Sequence, residues 1–110
     1  MHYREPHVFD TAQVQEILAA DHVGDLCELI VSLSLNDREE TALEVIWGLG
    51  AHQSWEVRAV CATGLGHLAR RYRRLDGRSM ALLKSLQGDA RTASYAADAL
   101  GDVRMFTGHT

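Results

Sequence analysis

Apolar positions in this chain recur at helical spacing, interrupted by short polar stretches. The clearest run covers residues 54–68, SWEVRAVCATGLGHL, where Val57, Val60, Cys61, Gly64, Leu65 and Leu68 follow i, i+3, i+4 steps behind Ser54, a helix-capping hydroxyl. Upstream, Val14, Ile17 and Leu18 form the stripe of a first helix capped by Asp10 or Thr11. Asp21 reads as the cap of a second helix. There Val23, Leu26, Cys27, Leu29, Ile30, Leu33 and Leu35 leave a narrow polar strip of Asp25, Glu28 and Ser32. A third helix is predicted over 39–50, and a fourth from Ser54 into an arginine-rich end that Asp76 and Gly77 terminate. The fifth carries Met80, Leu82, Leu83 and Leu86 and stops at Gly88; the sixth starts at Asp89 and carries Tyr95, Ala96, Ala99, Leu100 and Val103. Residues 1–9, with the only proline, read as a lead-in, and 105–110 as a fraying end.

The pattern repeats. Laying Leu65-Gly66 on Leu100-Gly101 puts Ser54 on Asp89, Ala62 on Ala97, Gly64 on Ala99 and Leu68 on Val103. Ser54 follows Asp21 by 33 residues, and Asp89 follows Ser54 by 35. Val14, Trp47 and Leu82 lie seven residues before these three caps, and Leu18, Ala51 and Leu86 three before, all apolar. Each unit therefore reads as an antiparallel helix pair, and the class as all-α.

Ser54-Trp-Glu-Val-Arg58, followed by Ala59, Ala62 and Leu65-Gly66, resembles the D-x-x-V-R…A…A-L-G signature of bacterial HEAT-like repeats of the phycobilin-lyase type. The stretch from Ala81 through Asp89, Ala93, Ala97 and Ala99 to Gly101 fits the same signature. Ser54 stands for the usual Asp, Ala93 takes the place of the Arg, and the first unit keeps little beyond Asp21. The resemblance implies one domain over 1–110, a short α-solenoid of about six helices in three HEAT-like pairs (about 11–35, 38–73 and 77–106), with second helices lining the concave side. Tetratricopeptide and ankyrin repeats share the period, but their W-x-x-L-G-x-x-Y and T-P-L-H motifs are missing.

A chain of 110 residues can bury a core without staples. Cys27 and Cys61 fall on apolar faces without metal or redox spacing and read as buried thiols of a reducing compartment. No apolar run reaches the ~18 residues of a membrane span and the N-terminus shows no signal-peptide pattern, so the expected location is cytoplasmic. The net charge of −4 is unevenly spread: residues 1–50 hold ten acids and two bases, while 51–110 hold five acids and nine bases. An array of units turns sequence halves into spatial halves, giving an acidic end suited to a basic partner and unfavourable to nucleic acid.

Catalytic chemistry is not legible. HEAT-like hydroxylases carry His-Glu iron ligands, and none of the six histidines here precedes Glu. No nucleophile elbow, phosphate loop or zinc spacing appears, so no catalytic, metal or cofactor residue is expected. His22 and His52 read as solvated helix-end residues. Trp47 occupies the repeat's core position; Trp55, beside Glu56 at a helix start, reads as exposed and suited to a partner's pocket. Arg58 is expected to bond a neighbouring turn. Arg70, Arg71, Arg73 and Arg74 around Tyr72 suit either phosphates or the negative end of their own helix.

A free-standing acidic array of three units is similar to bacterial toxin-immunity proteins of contact-dependent inhibition. That resemblance implies a non-enzymatic module that binds a basic toxin domain, such as a nuclease. The candidate binding set is Asp21, Asp25, Glu28, Ser32, Trp55 and Glu56, carboxylates around one aromatic anchor. The alternatives are an adaptor or assembly factor, a nucleic-acid binder using the four arginines, and, more remotely, a lyase-like enzyme.

Overall fold

The periodic segments all become helices. The computed structural model describes residues 9–108, which form α1 (Thr11–Ala20), α2 (Val23–Asn36), α3 (Glu39–Leu49), α4 (Trp55–Tyr72), α5 (Gly77–Gln87) and α6 (Ala93–Thr107), with no strand among them. The expectations for residues 1–8 and 109–110 lie outside the described residues.

Caps set the boundaries. Asp10 starts α1 with a reciprocal box, its carboxylate accepting from the Gln13 N–H while its own N–H donates to the Gln13 side chain. Ser54 starts α4 by accepting from the Glu56 N–H at 3.2 Å. The other expected caps are corrected. Asp21 is left-handed (φ 57°) and ends α1, so His22 becomes the residue from which α2 begins. Asp89 uses its carboxylate on the Arg91 N–H and its carbonyl on the Thr92 N–H, a turn that delays α6 to Ala93. Asp76 does not end α4; it caps α5 through the Ser79 N–H, and α4 closes on Arg73 at φ 59°. The last segment does not fray at residue 105, because α6 continues to Thr107 with Phe106 half-buried.

Alternate helices form two layers. α4 packs between α2 and α6, which do not touch each other, while α1, α3 and α5 cover the outer side. Leu26, Leu29, Ile30, Leu33, Ile46, Val57, Leu65, Leu68, Leu83 and Val103 fill the space between the layers. Each contributes about 1.5–3 kcal/mol by leaving water. Trp47 is not core. It is half-buried, its indole N–H donates to Ser79 Oγ at 2.9 Å, and the Arg78 guanidinium lies 4.4 Å from its ring centre. Ser79 is itself fully buried and its hydroxyl donates a hydrogen bond to the Asp76 carboxylate at 2.8 Å, so one hydroxyl ties α3 to the cap of α5.

Two glycines of α4 set the spacing of the inner layer. A methyl on Gly64 would lie 2.6 Å from Ser34 Oγ and 3.0 Å from both Ile30 and Ile46; one on Gly66 would lie 3.3 Å from the Ala99 backbone and 2.9 Å from the Asp102 carboxylate. α2 therefore closes on one side of α4 and α6 on the other. Gly64→Leu should lower stability by about 1–3 kcal/mol or more through overpacking. Gly48→Ala, in α3 with open space around it, should raise stability by up to about 1 kcal/mol through helix propensity. Urea or thermal melts of the two variants check both signs, and a Gly64→Leu midpoint at or above wild type would contradict the close approach.

Candidate partner-binding face

Among the described residues the inner layer leaves one side uncovered. On α4, Glu56, Val60, Thr63, His67 and Arg70 step by four and three residues along the side opposite buried Leu65, all exposed or half-exposed. On α6, Asp98, Asp102 and Met105 share a side, and the Asp102 carboxylate bonds Arg70 at 3.2 Å, which fixes that side beside the α4 strip. On α2, Ile30 and Ser34 face Gly64, and the adjoining strip is Glu28, Val31 and Leu35. The exposed large apolar side chains Leu35 (46%), Tyr95 (40%) and Met105 (75%) border this same surface. Exposed apolar groups with carboxylates between them make this side the candidate interaction surface.

The sequence-derived residues divide into three groups. Trp55 and Glu56 lie at the start of α4, where the Trp55 ring meets Tyr95 of α6, centroids 6.5 Å apart and planes tilted by 43°. Glu28 joins them on the open side. Asp25 and Ser32 do not: they lie roughly half a turn round α2 from Ser34, directed away from α4 toward the edge where the layer ends. Asp21 has a structural task, because its carboxylate holds His52 Nε2 at 2.7 Å. The Ser54 N–H donates to His52 Nδ1 at 2.9 Å, so Nε2 carries the proton and donates to Asp21. This chain of bonds ties the end of α1 to the start of α4. Tyr95, Asp98 and Met105 are not among the sequence-derived residues; Tyr95 falls at the apolar spacing of α6, which predicts packing.

Neighbouring charges complete the face. Burial, followed by the Arg70 charge, holds the His67 imidazole below its ordinary pKa, with Asp102 pulling the other way. Arg58 spans the turn before α4, donating to the carbonyls of His52 and Gln53 and to Asp89 at 2.9 Å, as the sequence led us to expect. The Arg91 N–H and the Arg58 guanidinium keep the Asp89 carboxyl below its usual range. A cleft of about 520 Å³ lies in the outer layer between α1 and α3, over Val14, Leu18 and Val45. It contains none of the candidate residues, and two of its acids are committed: Asp10 to the α1 cap, Asp37 to the Arg38 N–H. Among the described residues no cluster of His, Cys, Asp or Glu could hold a metal ion, and no helix is long and apolar enough to cross a membrane.

No family model matches the sequence, and no curated protein does. A solved structure does match. It is a chain in the crystal structure of a CDI complex from Cupriavidus taiwanensis LMG 19424, 32% identical, with a TM-score of 0.79 over 96% of this chain and 97% of that one. This chain belongs to the family of that CDI-complex protein.

In this family member the arginine cluster is bound into the fold. Arg70 pairs with Asp102, Arg71 donates to the Ser34 and Asp37 carbonyls, and Arg74 pairs with Glu39. Arg73 stacks on Phe106, which Arg70 also covers, each 5.5 Å from the ring centre. Specific tertiary contacts therefore engage these side chains, beyond any general attraction to a helix end.

The thiols are equally committed to packing. Burial pushes the Cys61 thiol up to about 12, and burial with the nearby Glu56 charge raises Cys27. At pH 8 roughly one Cys61 in ten thousand is thiolate. Iodoacetamide should thus modify half-exposed Cys27 first and reach Cys61 only when denaturant opens the fold; mass spectrometry showing equal native rates would contradict the packing.

Proposed function

We propose that this chain is a non-enzymatic immunity protein of contact-dependent inhibition, built as a short HEAT-like array, that binds and neutralises a toxin domain in the cytoplasm. The observation that carries the reading is the near full-length likeness to a protein crystallised in a CDI complex. Of the two roles such a complex offers, inhibitor fits this chain better than toxin. Many of its polar groups serve caps and inter-helix ties, and among the described residues the open face offers carboxylates and apolar anchors without a nucleophile paired to a base.

The binding surface in this reading is the open side of α2, α4 and α6. Among the described residues Glu28, Glu56 and Asp98 form no ion pair, while Trp55, Tyr95, Leu35 and Met105 supply apolar area. A nuclease toxin is basic where it grips phosphates, so a preformed acidic face can occupy that ground quickly and exclude substrate. The arginine cluster serves the fold in this account, which leaves nucleic acid without its expected docking site.

Co-expression with the toxin domain that this reading assigns as its partner should restore growth, and the chain expressed alone should not be toxic. Toxicity of the chain alone, or failure to bind that toxin, would overturn the proposal. In surface-plasmon measurements, Glu28→Lys with Glu56→Lys should slow association about tenfold at low salt, with little change in dissociation. Trp55→Ala should accelerate dissociation by about tenfold or more. Wild-type rates for both variants would move the site elsewhere.

A further inference from the structure

Aromatic rings in this protein attract guanidinium groups. Arg78 lies over Trp47 at 4.4 Å, Arg71 over Tyr72 at 4.8 Å, and Arg70 and Arg73 both lie 5.5 Å from the Phe106 centre. The Trp55–Tyr95 pair differs: Tyr95 is 40% exposed and Trp55 half-buried, and among the described residues no arginine lies over either ring. The nearest candidate on the same helix, Arg58, is held by Asp89 and the carbonyls of His52 and Gln53. Exposed carboxylates occur on both sides of the seam, Glu56 on the open strip of α4 and Asp98 one turn beyond Tyr95 on α6. Neither is neutralised by an ion pair among the described residues, and Glu56 in the first turn of α4 offsets the partial positive charge of that helix end.

We propose that the exposed side of the Trp55–Tyr95 pair is a receptor for one arginine side chain of the partner protein. This deepens the reading of the open face as a toxin-binding surface and rests on it for the source of the arginine. The chemistry selects guanidinium over ammonium. A flat cation fits against the rings while its peripheral N–H groups reach carboxylates at the rim, whereas a lysine ammonium is a compact, strongly hydrated charge that gains less from stacking. A neutral urea group of the same shape keeps the stacking and loses the charge.

The test uses the whole chain and small probes. The protein has two tryptophans, so its ¹⁵N spectrum has two indole signals, one from each. Trp47, already bonded to Ser79 and covered by Arg78, is the internal reference. Nα-acetyl-arginine amide should shift the Trp55 signal saturably with a millimolar dissociation constant and leave Trp47 unmoved. Nα-acetyl-lysine amide should bind at least about threefold more weakly, and the citrulline analogue should give no saturable shift. Tyr95→Leu and Glu56→Gln should each weaken the arginine probe severalfold while an unchanged Trp47 signal reports an intact fold. Equal shifts from the citrulline or lysine analogue, parallel movement of both indoles, or variants that bind like wild type would overturn the proposal. Because no toxin enters this assay, a negative result beside intact toxin binding removes the arginine receptor alone. A positive result beside failed toxin binding removes the partner assignment alone.

Discussion

The closeness with which α4 is approached from both sides governs the rest of the structure. Gly64 admits Ile30 and Ser34 of α2, Gly66 admits Ala99 and Asp102 of α6, and no side chain at either position could be accommodated without movement of its neighbours. The tight seams leave the opposite side of the three inner helices as one continuous surface. Ser34, buried at the first seam, meets its hydrogen-bonding need within its own helix by donating to the Ile30 carbonyl at 2.7 Å. Among the described residues no buried side-chain nitrogen or oxygen lacks a partner, so the close approach costs no orphaned polar group.

The sequence shows the helices more clearly than their ends. Long apolar periods locate all six, because helical spacing is a property of the segment. Ends depend on single backbone conformations. An aspartate accepts N–H bonds equally well as an N-cap, inside a turn or at a left-handed helix end, and Asp10, Asp89 and Asp21 show these three outcomes. Trp47 was legible as apolar but not as half-buried, since its Ser79 and Arg78 partners come from α5, about thirty residues away. The arginine run gives no sign in sequence of its partners on α2, α3 and α6.

Exposure was also legible on α2, though its direction was not. Asp25, Glu28 and Ser32 are polar at the right spacing, but an end helix has two uncovered sides, and only the seam at Gly64 shows that Asp25 and Ser32 take the edge. Trp55 was legible as unsuited to the core because it directly follows a cap. Its partner Tyr95 lies forty positions downstream and could be found only once α4 and α6 were seen to start at the same end.

The functional account thus rests on one surface, assembled from three helices whose register two glycines set and whose exposed groups include three carboxylates and a few large apolar side chains. Hydroxyl-radical footprinting of the chain, alone and with the toxin domain proposed as its partner, tests that surface most directly. Leu35, Tyr95 and Met105 border the open face, while Trp47 reports from the outer layer. The account predicts that the toxin protects the first three and leaves Trp47 oxidised as before; protection of Trp47 with Tyr95 and Met105 still fully reactive would contradict it.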